Sequence, residues 1–488
     1  MKRVFGFVTA LLVIINVSTA QNNGFSSKLF DNYSKFKEKE ITNRRLKHED
    51  IVSLLDILKS ENKLHIQKVG ESIEGRSLNL ISLGDGETDV FLWSQMHGDE
   101  STATMAIFDM LNFFNSEEFE DERKIILKKL RIHFLPMLNP DGAEKFMRRN
   151  ALGVDVNRDA LRLQSPEAKT LKRIRDSLDA DFGFNLHDQS KYYNAEQTEK
   201  PATISFLAPA YNYEKEINVV RGDAMKVIVQ MNKVLQKFVP GQVGRYNDDF
   251  EPRAFGDNIQ KWGTSTILIE SGGFPEDPEK QEIRKLNFVS ILSALNSIAT
   301  ESYRTEDISE YERIPNNDRM LFDLKITGLK YHLNEKDYIL DIGINKDEND
   351  IEGAADFYYS GRVVDLGDLS TSYGYEELDA SGLKLVFGKV YPEKISSPKE
   401  LEVLNAKELL EKGYAYIKVD SSMLKVPYSN FPINLVPEDY KINTHLAPGK
   451  NANFFLYKNG EMEYAIINGF LLDTKVSLDK IINTLIFK

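Results

Sequence analysis

WSQMHGDESTATMAIFDM, residues 93–110, changes character part-way along. An apolar run stops, the polar set His97-Gly98-Asp99-Glu100 follows, and a helical pattern of apolar residues begins at once. A strand giving way to a helix is the recurring joint of α/β proteins, and sites are built at such strand ends. His97 and Glu100 stand three residues apart at the joint, a spacing that suits the start of a metal site. The other half of such a site has to come from elsewhere in the chain.

Outward from this joint the same alternation continues. LHIQKVG, SLNLISLG and DVFLWSQ precede it as short β-type runs broken by glycine and charged turns. STATMAIFDMLNFF, SPEAKTLKRIRDSL, NYEKEINVVRGDAMKVIVQMNKVLQKF and DPEKQEIRKLNFVSILSALNSI have helical spacing, and LRIHFLPML, FGFNLH and TSTILIE lie among them as strands. This order predicts an α/β fold, a sheet covered by helices on both faces. The texture changes after about Tyr303. RTEDISEYERIPNNDR is charged and poor in apolar residues, so 304–319 is expected to be a linker, with a smaller β-rich domain over 320–488.

The chain has 488 residues, too many for one ordinary core. Its net charge of −13 argues against nucleic acid as a partner, because phosphate binding needs a basic surface. Residues 1–20 are expected to be a secretory signal: Lys2 and Arg3, then an apolar stretch too short to span a membrane, then Ser18-Thr19-Ala20 before the cut. With no later span, export to a bacterial periplasm or the extracellular space is expected. There are no cysteines, so disulfides, thiolate metal sites and a cysteine nucleophile are all excluded.

Four clusters carry chemistry, each at the end of a predicted strand: His97 with Glu100, NPDG followed by MRRN and GVDVNRD, NLHDQ, and LIESGG. Two histidines and one carboxylate can hold zinc and leave a position open for water. His97, Glu100 and His187 would do so. Of the other histidines, His48 lies in a charged helix, His65 and His133 lie within strands, and His332 and His445 lie in the β-rich region. Glu270 ends a strand before two glycines, where desolvation would raise its pKa towards general-base duty. Arg158 beside Asn157 could grip a carboxylate. Arg148 or Arg149 could stabilise an oxyanion, and Asp155 could fix the tautomer of a ligand histidine.

Together these motifs resemble the zinc metallocarboxypeptidases related to pancreatic carboxypeptidases A and B, in their bacterial exported branch. HGDE is similar to the family's His-x-x-Glu ligand pair. NPDG, RRN and GVDVNRD resemble its central block, NLHD its third ligand, LIESGG its catalytic strand, and GESIEGRSLNLISLG its opening strand. The resemblance runs over about residues 50–300, with a catalytic domain expected over 21–303. It implies a mixed central sheet flanked by helices, one zinc ion per chain held by His97, Glu100 and His187, and Glu270 as general base. It further implies Asn157 and Arg158 as the clamp for a substrate's C-terminal carboxylate, Arg148 as the oxyanion arginine with Arg149 as fallback, and Asp155 behind a ligand histidine. Tyr246 is the candidate for the substrate-capping tyrosine.

The expected partner is a peptide or protein with a free C-terminus, and the β-rich domain is accessory. Asp159 and Ala160 depart from the family pattern after the Asn-Arg pair, and so does Asp99 between the ligands. Two rivals follow: a zinc-dependent deacylase or amidase of the same fold acting on acyl-amino acids or cell-wall peptides, and a non-enzymatic binding protein.

Overall fold

Alternation along single strands explains how one sheet comes to carry two cores. On the strand β2 (Ser77–Leu83), Leu78 and Leu80 face one way, while Leu83 faces the other. On β3 (Thr88–Ser94), Phe91 and Trp93 share the first face, and Val90 and Leu92 the second. Successive side chains in a strand point to opposite faces, so an almost wholly apolar strand needs cover on both. The helices supply it. Pro166–Leu178 and Phe255–Lys261 cover the first face, and Thr102–Asn115, Val219–Leu235 and Gln281–Ala299 the second.

The computed structural model describes residues 24–60, 64–473 and 478–487. The expected signal at 1–20 lies outside them. No helix among the described residues is long and apolar enough to cross a membrane. The chain divides into two units, Met1–Arg319 and Met320–Lys488.

The first unit is built on an eight-stranded mixed sheet. Besides β2 and β3 it contains β1 (His65–Glu71), β4 (Leu130–Leu135), β5 (Phe182–Asp188), β7 (Ile204–Leu207), β8 (Val243–Arg245) and β9 (Ser265–Ser271). The spatial order is β1-β2-β4-β3-β5-β9-β7-β8. Strands β4, β3, β5 and β9 run parallel at its centre, so the joints after β3, β5 and β9 emerge at the same edge. β7 and β8 are short strands that the sequence patterns did not predict. In register, Gly244, Ser205, Glu270 and His187 form one row across β8, β7, β9 and β5. Paired residues in a sheet share a face, so this row brings together residues from four distant stretches.

Two further segments belong to this unit. In the polar N-terminal segment, Phe25, Leu29, Tyr33, Phe36, Ile41 and Leu46 are buried in the helical core. Each large apolar side chain so buried contributes about 1.5–3 kcal/mol. Asp109 anchors the segment. It accepts hydrogen bonds from the Tyr33 hydroxyl (2.8 Å) and the Glu38 amide (2.7 Å), and it pairs with Arg284 (2.5 Å) with both side chains fully buried.

The second segment is the expected linker, 304–319. It differs from the expectation because its few apolar residues are all used. It contains the helical turn Ser309–Glu312 and the strand β10 (Asn317–Asp318), which pairs with β6 (Asn194–Ala195). Tyr311 is buried and its hydroxyl accepts the Ala208 amide at 3.0 Å.

The second unit is β-rich, with a long antiparallel hairpin, Leu321–Leu333 and Lys336–Asp350, in its main sheet. A separate three-stranded parallel sheet joins Lys389–Ile395, Tyr414–Val419 and Asn434–Val436. Buried asparagines stitch its turns: Asn434 donates to Asn453 (2.9 Å), whose oxygen also accepts the Asn468 amide (2.8 Å).

Candidate active site

Glycine at position 98 has a packing cause. A Cβ there would lie 2.1 Å from the Gly142 carbonyl carbon, so the HGDE turn rests directly on NPDG. NPDG is itself a short helix, Pro140–Glu144, whose cap Asn139 accepts the Gly142 amide at 3.0 Å. Asp141 then ties in the opening motif, accepting from the Ser72 hydroxyl (2.6 Å), the Glu74 amide (3.0 Å) and Arg76 (2.7 Å). Three motifs separated in sequence are thereby locked into one support for His97 and Glu100.

Glu100 bridges the two histidines. One carboxylate oxygen lies 2.7 Å from His97 Nδ1 and the other 2.7 Å from His187 Nδ1. Among the described residues, His97, Glu100 and His187 are a buried group whose ligand atoms all lie within 4.8 Å of one another. Burial alone would raise the Glu100 pKa, but the two imidazoles hold it well below the usual carboxylate range. Burial depresses His97 too, yet Glu100 and Asp155 outweigh that and bring it to about 9. His187 is pushed down by burial. His133 is a contrast, spent on structure between Ser82 (2.8 Å) and Asp89 (3.1 Å).

Asp155 joins several parts. It caps the turn Val156–Arg158 by accepting the Asn157 amide (3.0 Å), lies 3.1 Å from His97 Nε2, and receives Arg148 at 2.9 Å. Arg148 also reaches Glu100 (3.4 Å), whereas Arg149 turns away to the Gly153 carbonyl. Asn157 Nδ2 is 3.4 Å from His187 Nε2, and its oxygen accepts the Phe255 amide at 2.9 Å. Arg158 is about one-third exposed, with Nε 3.4 Å from a carboxylate of this chain, Glu251.

Glu270 sits beside His187 in the row described above. It is buried, and its Oε2 has no hydrogen-bond partner among the described residues. Burial first, then the charge of Glu100, pushes its pKa well above the ordinary value. Tyr246 follows β8 with its amide on the Phe206 carbonyl at 2.9 Å, and Phe206 pairs with Ile269, the neighbour of Glu270. Burial and the Glu270 charge hold the Tyr246 hydroxyl protonated well past its usual range.

Several site neighbours escaped the sequence reading. Lys280 donates to Asp188 (3.0 Å) and to the Ser271 carbonyl (2.9 Å), bracing the ends of β5 and β9, and Thr102 also donates to Asp188. Asp188 follows His187 and could have been flagged. Lys280 stands at the N-cap of the helix Gln281–Ala299, and nothing in its helical segment signals a site.

The donor set fits zinc. Two imidazoles, His97 giving up its proton on metal binding, and a carboxylate are a catalytic zinc set, and a carboxylate on the far nitrogen of His97 is the usual means of fixing a ligand's tautomer.

Residues 51–229 match the family described as Zinc carboxypeptidase. This is the family whose motifs the chain resembles. The stretch contains His97, Glu100, Arg148, Asp155, Asn157, Arg158 and His187, while Tyr246 and Glu270 lie beyond it.

The chain is 28% identical over 206 residues to Carboxypeptidase SOL1 of Arabidopsis thaliana, covering 36% of this chain and 42% of that one. It is 29% identical over 143 residues to the Carboxypeptidase N catalytic chain of Homo sapiens, covering 24% and 31%. It thus spans less than half the length of these relatives. Among solved structures, a metallo-carboxypeptidase from Burkholderia cenocepacia overlays on 52% of this chain and 69% of its own, at 17% identity and a TM-score of 0.43.

Proposed function

We propose that this chain is a zinc metallocarboxypeptidase that removes the C-terminal residue of a peptide or protein, with one zinc ion per chain at His97, Glu100 and His187. The observation that carries the reading is the buried triad with ligand atoms within 4.8 Å of one another, with Glu270 in register beside His187. Residues 1–20, read as a secretory signal, support action outside the cytoplasm.

Zinc, when bound, supplies Lewis acidity that polarises a carbonyl and acidifies water. Every other role falls to side chains. Asn157 and Arg158 hold the free carboxylate of the last residue, Arg158 exchanging Glu251 for the substrate. A fixed clamp of this kind measures one residue from the chain end to the bond cleaved. Glu270, with its raised pKa and unpartnered oxygen, takes the proton of the attacking water and returns it to the leaving amine. Arg148, held by Asp155, donates to the oxyanion as it develops. Tyr246 closes over the bound residue.

The test compares peptides that differ only at the C-terminus. The parent should cleave the free acid and reject the amide. Equal cleavage of both would overturn the clamp and favour a deacylase or an endopeptidase, while leaving a zinc hydrolase standing.

A further inference from the structure

Arg44 and Arg45 lie in the polar N-terminal segment, yet both are buried. The stretch they belong to grips the support of the metal triad at several points. The Arg44 carbonyl accepts from the hydroxyl of Ser101, the residue after Glu100, and the Arg44 amide donates to Glu279 at 2.9 Å. Lys47 Nζ donates to the Glu144 carbonyl (2.6 Å), and the His48 amide donates to the Glu144 carboxylate (2.9 Å), at the end of the short NPDG helix. The Arg45 guanidinium lies over the ring of Phe146, 4.0 Å from its centroid, and that of Arg44 reaches the same ring at 5.5 Å. A cation over an aromatic face is attracted by the ring's electrons, most strongly where water is excluded.

Phe146 carries backbone strain. Its φ is +47°, in the left-handed region that glycine enters freely and a bulky side chain enters at a cost. It stands just past Lys145, the C-cap of the helix Pro140–Glu144, where glycine commonly ends a helix. Glycine would make the same turn without strain but would offer Arg45 no ring to rest on. The turn leads to Arg148, two residues further along. The Met147 amide returns to the Gly142 carbonyl at 2.9 Å, and the Arg148 carbonyl accepts from Asn139 at 3.3 Å. Asp155 holds the far end of Arg148 at 2.9 Å, although the side chain is 43% exposed. A long, half-exposed arginine loses rotamer freedom when it is ordered, so fixing its backbone in advance leaves less ordering for the reaction to bear.

We propose that Arg45 and Phe146 are positioning residues for Arg148, the stacked guanidinium and ring fixing the turn from which Arg148 reaches the reacting carbonyl. This role rests on the reading of Arg148 as donor to the oxyanion, and it adds the device that holds the donor ready. Strain at a functional turn persists only where surrounding contacts over-determine it. Here those contacts are Arg45 on the ring and the two hydrogen bonds that return residues 147 and 148 to the NPDG helix and its cap. The N-terminal segment, outside every motif shared with the family, thereby takes part in turnover without touching the substrate.

The experiment uses the full chain loaded with zinc and measures kcat and KM on a free-acid peptide. The single variants are Arg45→Met, Arg45→Lys, Phe146→Leu and Arg148→Ala, and the double variant joins Arg45→Met to Arg148→Ala. Met keeps the packing of the arginine stem without its charge, and Leu keeps apolar bulk without the aromatic face. Arg148→Ala should lower kcat by about a hundredfold or more, the usual effect of removing an oxyanion donor. Arg45→Met and Phe146→Leu should each lower kcat by about tenfold with KM little changed, because small misplacements of a catalytic group are costly. Arg45→Lys, which keeps a cation over the ring, should recover part of that loss. Zinc content and melting temperature should stay near those of the parent in both positioning variants. In the Arg148→Ala background, Arg45→Met should lower kcat no further, since residues that act through one another are not additive. Parent-like kcat in both Arg45→Met and Phe146→Leu, or a loss from Arg45→Met that persists beside Arg148→Ala, would overturn the positioning role alone. Parent-like kcat in Arg148→Ala would overturn the oxyanion reading and the positioning role with it.

Discussion

His187 and Glu270 stand side by side, in register on the parallel strands β5 and β9. One offers a ring nitrogen to the triad, and the other holds a buried oxygen with no hydrogen-bond partner among the described residues. An unpartnered buried carboxylate is costly, so such a group is expected where a reaction uses it.

Glu270→Gln keeps the shape of the side chain and removes its basicity. Zinc content and melting temperature should be kept while kcat falls by about a hundredfold or more. Metal analysis alongside steady-state kinetics checks both halves, and parent-like turnover would place the base elsewhere.

Asp155 tests the support of the metal. Asp155→Asn should weaken zinc binding by about 10- to 100-fold, the usual effect of losing the group behind a ligand histidine. Competition with a chelator measures it. His187→Ala should abolish binding, and full zinc occupancy in that variant would remove His187 from the site.

Arg158 tests the clamp. Arg158→Ala should lower kcat/KM for free-acid peptides steeply, since the substrate's carboxylate loses its charge-assisted hydrogen bonds. Arg158→Lys should rescue poorly because it lacks the planar fork. Glu251→Gln frees Arg158 of its internal partner, so KM should fall; an increase would make Glu251 a contact for the substrate instead.

Asp257 gives a pH signature. Burial pushes its pKa to about 7 in the folded chain, above the ordinary 3.8. The native state therefore binds the extra proton between those values, and stability falls as pH rises through that window. Asp257→Asn can still accept the Glu251 amide and should flatten the fall. Melting temperature from pH 4 to pH 8 reads it, and an unchanged slope would clear Asp257.

Asp109 and Arg284 bind the N-terminal segment to the core. Asp109→Asn leaves Arg284 buried without a counter-charge, an expected loss of about 3–5 kcal/mol. Replacing both residues by apolar ones of similar volume should cost less than the single change. Denaturant melts of the two variants decide it.

Much of the centre was legible because it is local. His97 and Glu100 share one turn, NPDG carries its own cap, and the long strands repeat their pattern enough to be seen. β7 and β8 were not, since four and three residues are too few for a period of two to stand out. The different surroundings of Arg148 and Arg149 were also hidden. Both sit in one tetrapeptide, and the fold turns one to Asp155 and Glu100 and the other to the Gly153 carbonyl.

The sequence by itself determined which residues stand at strand ends, that two histidines and two glutamates are available there, and that a β-rich region follows. Tertiary structure alone decided which side chains of residues 24–46 enter the core, that 304–319 folds onto the first unit, that Glu251 reaches Arg158, and that Asn317 accepts from Ser205 in the row beginning at His187. The physical reason is range. Periodicity and capping act over a few residues and leave a trace in the order of the chain. Asn317 meets Ser205 across 112 positions and Arg284 meets Asp109 across 175, and contacts of that span follow from how the helices and strands pack.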